Sequence, residues 1–182
     1  MIVSVITVVY NNVDHIKSTI QSVLSQEYSS IEYIVIDGGS TDGTIDVIEK
    51  YREKISVFLT ETDDGIYDAL NKGIGLATGD TVAILHSDDL FYDNHVVSDM
   101  VNRMAVTDAE FCFSDLVIVD TVTDKVLRYY MASYFSRWMF RMGWMPPHPT
   151  CFIKKSLFDE FGLYSLDYKV VSDFDFLVRI FY

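Results

Sequence analysis

The sequence predicts an α/β domain with a mostly parallel central sheet and helices on both faces. Strand-like and helix-like segments alternate four times between Ile2 and Met104. That order builds parallel sheets joined by crossover helices. The strand segments are continuous β-branched runs, the pattern of strands buried on both faces. With 182 residues, 49% of them hydrophobic, the chain has the length and apolar material for one domain.

The elements follow in order. Ile2 to Tyr10 reads as a buried strand. Asn12 is placed to cap a helix through about Gln26, with Val13, Ile16, Ile20, Val23 and Leu24 on one face. Ile31 to Asp37 is a second strand running into the loop Gly38-Gly39-Ser40-Thr41-Asp42-Gly43. A helix over Thr44 to Lys54 precedes a third strand, Ile55 to Leu59. The turn Thr62-Asp63-Asp64-Gly65 opens a helix from Ile66 to about Ala77. Thr81 to Leu85 is a fourth strand ending at His86-Ser87-Asp88-Asp89, and Asp93 is placed to cap a helix bearing Val96, Val97, Met100, Val101 and Met104.

Beyond these units, Phe111 to Val119 and Lys125 to Tyr130 read as strands joined through the turn Asp120 to Asp124. A last helix spans Asp173 to Tyr182 with Phe174, Leu177, Val178 and Phe181 as its stripe. It lacks a capping glycine or polar tail, so the expectation is a single domain over 1–182 cut from something longer.

Composition narrows the function. The net charge of -13 excludes nucleic acid as a partner, because phosphate backbones need a basic footprint. Two cysteines make no disulfide framework, and Met1 to Val5 reads as a strand start, not a signal peptide. A reducing cytoplasm is the simplest expectation. The chain has neither a G-x-G-x-x-G after the first strand nor a phosphate loop with its lysine. The Asp37 loop fails calcium-loop spacing at Gly39, and no Cys/His spacing suggests zinc.

The strand ends carry the chemistry. Asp37 ends the second strand, Asp63 and Asp64 follow the third, and Asp88 and Asp89 follow the fourth. Ligands of parallel sheets bind beyond those carboxyl ends. Asp is a common turn and capping residue, yet carboxylates clustered at three consecutive strand ends repel unless a cation joins them. Oxygen ligands favour magnesium or manganese, and such an ion lets so acidic a chain hold a diphosphate.

Val35-Ile36-Asp37-Gly38-Gly39-Ser40-Thr41-Asp42-Gly43-Thr44 and Ser87-Asp88-Asp89, following Ser4 to Asn12, resemble the inverting family 2 glycosyltransferases of the GT-A fold. Asp63 to Ile74 and Asp167 to Phe174 are similar to the branch containing colanic-acid-type transferases of bacterial polysaccharide assembly. The resemblance implies a nucleotide-diphosphate sugar donor, UDP being the commonest, a Mn2+ or Mg2+ ion, and a glycan or lipid-linked sugar acceptor. It places Thr7, Val9 and Tyr10 along the nucleobase pocket and Asp37 as acceptor of a hydrogen bond from the base. Asp64 falls against the nucleotide and sugar, Asp88 against the ribose or sugar, and Asp89 on the metal. Ser87 stands where many relatives carry Asp. Asp173 is implied as the catalytic base, while the bland alternative is that Ser172 or Asp173 caps the last helix. His148 and Lys72 have weaker claims near the diphosphate. The alternative function is a non-catalytic nucleotide-sugar binding module.

Arg128 to Trp144 holds three arginines, seven aromatics and no acid. At helical spacing Tyr130, Tyr134, Arg137, Trp138 and Arg141 share one face, and Phe135, Met139 and Met142 another. Simple core packing competes with an interfacial role, which would put the protein peripherally at the inner face of the membrane.

Overall fold

The computed structural model describes residues 1–123 and 125–182. Six strands form the main sheet: β1 (Val3–Val9), β2 (Ile31–Asp37), β3 (Val57–Thr60), β4 (Thr81–Ile84), β5 (Phe111–Cys112) and β8 (Phe152–Lys154). Their order is β3-β2-β1-β4-β8-β5; β1, β2, β3 and β4 are parallel, and β8 runs antiparallel between β4 and β5. β6 (Leu116–Val119) and β7 (Val126–Tyr130) form a separate antiparallel hairpin.

All seven residues of β1 are buried, which suits a central strand covered on both faces. Its alternation divides the core. Val3, Val5 and Val9 pack with Ile16 and Ile20 of α1 (Ile16–Leu24), Ile48 of α2 (Thr44–Glu49), and Val97 and Met104 of α4 (Val96–Thr107). Ile6 and Val8 face the other way, toward Leu70 and Ile74 of α3 (Ile66–Leu76), Phe158 of α5 (Lys155–Phe161) and Phe176 of α6 (Ser172–Phe181). α3 lies so close to the sheet that a Cβ at Gly73 would meet Ile6 Cγ2 at 2.6 Å, so a larger residue there would force the helix off the sheet.

Several sequence expectations shift. The first helix begins at Ile16, and Asn12 does not cap it. The Asn12 amide instead donates to the Ser87 carbonyl and hydroxyl at 3.2 and 2.9 Å. The segment expected as one helix from Thr44 to Lys54 divides into α2 and a 3-10 turn at Arg52–Lys54. Phe111 to Val119 is two strands in two different sheets. The break falls at Ser114, whose backbone is tied to the Thr150 hydroxyl, and Asp115, which accepts from Ala132 N and Tyr129 OH. The hairpin pairing stands, but Asp124 of its turn lies outside the described residues. Helical spacing fails over 128–144: β7 ends at Tyr130 and only Arg137–Met142 coil, as a 3-10 turn. There aromatic packing outweighs local periodicity. Phe135 stacks on Trp144 and meets Phe113, Phe140 and Phe181 edge-on.

Candidate functional site

The strand order reverses at β1: the chain leaves it on one side toward β2 and β3, then returns on the other as β4. Such a reversal opens a crevice at the carboxyl ends of the neighbouring strands. Here the crevice is a cleft of about 490 Å³. Val9 and Tyr10 end β1 on one wall, His86, Asp88 and Asp89 follow β4 on the other, and Asp63 reaches in from the loop after β3. Among the described residues no lysine or arginine lines it. Among the described residues, neither Asp88 nor Asp89 has a side-chain hydrogen bond or ion pair. Burial raises the Asp89 pKa, partly offset by His86. Burial lowers that of His86 against the pull of the surrounding acids, and its Nδ1 is buried without a partner among the described residues.

The donor set bears on a metal ion. Among the described residues no group of three or more His, Cys, Asp or Glu is arranged to hold one. An adjacent, unpaired Asp88 and Asp89 is what magnesium or manganese uses when substrate phosphates complete the shell. The residues fit an ion that arrives with a diphosphate, not one held by protein alone. Ser87, which supplies no charge, is buried and held by Asn12.

Asp37 is fully buried at the end of β2. Its Oδ2 accepts from Gly39 N, Ser40 N and the Thr60 hydroxyl at 3.1, 3.0 and 2.6 Å. This tight loop requires the left-handed φ of +85° at Gly39, a conformation glycine adopts freely. Asp37 Oδ1 is buried with no partner among the described residues. Such an acceptor costs stability until a donor meets it. Thr7, by contrast, is sealed in the core, where its hydroxyl accepts from Tyr33 OH at 3.2 Å. It is off the cleft wall. Asp64 is also off that wall; it lines a neighbouring hollow.

Asp173 lies in the first turn of α6 and does not cap it: among the described residues no side chain caps this helix. The Ser172 hydroxyl turns away to donate to the Ser165 carbonyl at 2.8 Å, and the Tyr67 hydroxyl donates to Asp173 Oδ1 at 3.0 Å. Burial and the Asp173 charge raise the Tyr67 pKa, which keeps it a donor. His148 is structural. It is buried, bonded to Tyr164 OH at 2.7 Å, and pushed down to about 4 by burial. Lys72 is held by Glu61 and Asp68 at 2.9 and 3.0 Å.

Asn12, Tyr67 and His86 were not singled out as site residues from sequence, whereas Asp63 belongs to the strand-end acids. Asn12 reads as a cap and Tyr67 as one more helix-start aromatic. Only the approach of β4 to β1 and of α6 to α3 gives them partners 75 and 106 residues away.

The family model for glycosyl transferase family 2 matches residues 4–162. A PGL/p-HBAD biosynthesis glycosyltransferase of Mycobacterium bovis is 32% identical over 166 residues, covering 89% of this chain and 62% of the relative. An uncharacterized glycosyltransferase of Mycobacterium tuberculosis is 35% identical over 184 residues, covering 97% of this chain and 68% of its own length. The chain thus spans about 62 to 68% of these relatives. Among solved structures, S. aureus TarS 1–349 in complex with UDP superposes with a TM-score of 0.81 at 21% identity, over 100% of this chain and 55% of that one. The mannosyltransferase PcManGT from Pyrobaculum calidifontis, in complex with GDP-Man and Mn2+, gives 0.75 at 21% identity, over 98% and 51%. The fold is that of GT-A glycosyltransferases.

Proposed function

This chain belongs to glycosyl transferase family 2, a family of sugar-transferring enzymes, and we propose that it moves a sugar from a nucleotide-diphosphate donor to an acceptor hydroxyl with inversion. One observation carries the reading: an acidic cleft at the β1/β4 reversal whose adjacent carboxylates, Asp88 and Asp89, have no cationic partner among the described residues. A diphosphate enters such a cleft only together with a divalent ion. Asp89, with Asp88 beside it, would hold Mn2+ or Mg2+, which when bound neutralises charge on the departing diphosphate.

The chain's own residues do the rest. Tyr10 and Val9 border the base, and the bare Oδ1 of Asp37, buried behind the cleft wall, accepts an imide N–H, as uracil supplies, only when the wall opens to admit it. Asp173 takes the proton of the acceptor hydroxyl as its oxygen bonds to the anomeric carbon. The bond from that carbon to the diphosphate oxygen breaks, and the nucleoside diphosphate leaves with the electron pair. Tyr67 holds the Asp173 carboxylate toward that hydroxyl. A base freed from capping favours an enzyme over a binding module.

The segments 63–74 and 167–174 support a place in bacterial surface-polysaccharide assembly, on a glycan or lipid-linked acceptor. No helix of the described residues is long and apolar enough to cross a membrane. Tyr134, Trp138 and Met142 are exposed in the stretch that carries Arg137 and Arg141, which supports peripheral contact with the cytoplasmic leaflet.

Titration calorimetry with UDP and GDP, with Mn2+ and with EDTA, tests the core of the reading. Binding that requires the ion is expected; equal affinity in EDTA overturns the metal role, and no nucleotide binding overturns the function.

A further inference from the structure

Beside the donor cleft lies a second hollow that the steps above leave unused. It encloses about 280 Å³. Ligand pockets generally run from about 300 Å³ upward, so this one has room for about one sugar ring and not for a nucleotide. Asp64, Ile66 and Tyr67, at the amino end of α3, form one wall; Leu166, Tyr168 and Lys169, from the loop before α6, form the other. Gly65 and Ile66 also line the donor cleft, so the two hollows meet at that turn. Tyr67 on the shared side is the residue whose hydroxyl reaches Asp173.

The lining is amphipathic. Ile66, Leu166 and Tyr168 line it and are 46, 57 and 48% exposed. Asp68 shares Lys72 with Glu61, at 3.0 and 2.9 Å. Asp64 and Lys169, the charged groups left without an ion-pair partner among the described residues, offset each other, so the wall keeps a slight acidic balance. An anionic ligand gains no net attraction from such a wall. A pyranose gains on two counts: its hydroxyls can donate to the Asp64 carboxylate and accept from the Lys169 ammonium, and its C–H face can cover the Tyr168 ring.

We propose that this hollow is the acceptor subsite and takes one neutral pyranose ring, set by Tyr168, Asp64 and Lys169 next to the Tyr67–Asp173 pair. The inference rests on the transfer reading above. It extends that reading to the chemical class of the acceptor.

Saturation-transfer NMR on the chain with UDP and Mn2+ tests it, using methyl glycosides of neutral hexoses and N-acetylhexosamines as probes and a methyl glucuronide as the charged comparison. At least one neutral glycoside is expected to show ring-proton saturation, and more strongly than the glucuronide. Tyr168→Ala, a change at an exposed ring, should weaken that signal about tenfold while UDP affinity stays within about twofold. Lys169→Ala should weaken it less. Normal UDP binding with no glycoside signal, a signal unchanged in Tyr168→Ala, or preference for the glucuronide each overturns the subsite and leaves the transfer reading intact. Loss of UDP binding in the wild type overturns both.

Discussion

Two hollows meet at Gly65 and Ile66 and differ in charge. The larger is walled by Asp63, Asp88 and Asp89 without a lysine or arginine; the smaller sets Asp64 against Lys169 and adds apolar surface. In a chain of net charge -13, only the first needs an imported cation. The contrast teaches that local balance, not overall charge, decides which ligand each accepts. Tyr67, on the wall of the smaller hollow, donates its hydroxyl to Asp173, which ties the proposed base to that side.

The largest effect should fall at Asp173. Asp173→Asn is expected to lower turnover by about 100-fold or more, while calorimetric donor affinity changes less than about twofold. A variant keeping more than about a tenth of wild-type turnover removes Asp173 as base.

The next test separates the hollows by charge. Asp89→Asn should weaken nucleotide-diphosphate binding about tenfold or more, as the loss of a charged ligand group costs at least about 1.4 kcal/mol. Binding of a neutral glycoside should be unaffected. A parallel loss at both hollows would show that Asp89 supports the fold and not the donor.

Acid should undermine the donor side from beneath. The His148 ring lies 6.2 Å from that of His86, and burial, against a partial pull from Asp173, lowers its pKa from 6.5 to about 4. Between those values the unfolded chain binds the extra proton, so stability falls as pH drops. Denaturant titrations should show a loss of about 2 kcal/mol between pH 6.5 and 5. His148→Gln, which keeps a polar partner for Tyr164, should flatten this slope; an unchanged slope assigns it to other groups.

Tyr67→Phe is expected to be milder. One hydrogen bond worth about 1 kcal/mol corresponds to about fivefold in kcat, with donor affinity retained. The smallest effect concerns the membrane. At about 1 kcal/mol per basic residue, Arg137→Glu with Arg141→Glu should reduce cosedimentation with anionic liposomes at low salt and leave nucleotide binding alone. No difference from wild type removes the peripheral contact and leaves 128–144 as packed surface.

The sequence by itself determined the parallel α/β core. Buried β-branched runs and helical stripes between Ile2 and Met104 are local patterns, and short connections leave them few ways to pack. It also placed Asp37, Asp88 and Asp89 at strand ends, because topology follows from element order. What only the tertiary structure decided are the partners. Phe111 to Val119 reads as one strand, but Ser114 and Asp115 are claimed by Thr150, Tyr129 and Ala132, and the strand splits between two sheets. Residues 128–144 hold helical spacing, yet the rings of Phe113 and Phe181 lie far along the chain, and packing against them replaced the helix. Asn12 looked like a cap until β4 brought Ser87 to it. Asp173 looked equally fit to cap α6 or to act as a base until α3 supplied the Tyr67 hydroxyl. Local propensity is written in neighbours along the chain, whereas a side chain's hydrogen-bond partner depends on which distant element folding sets against it.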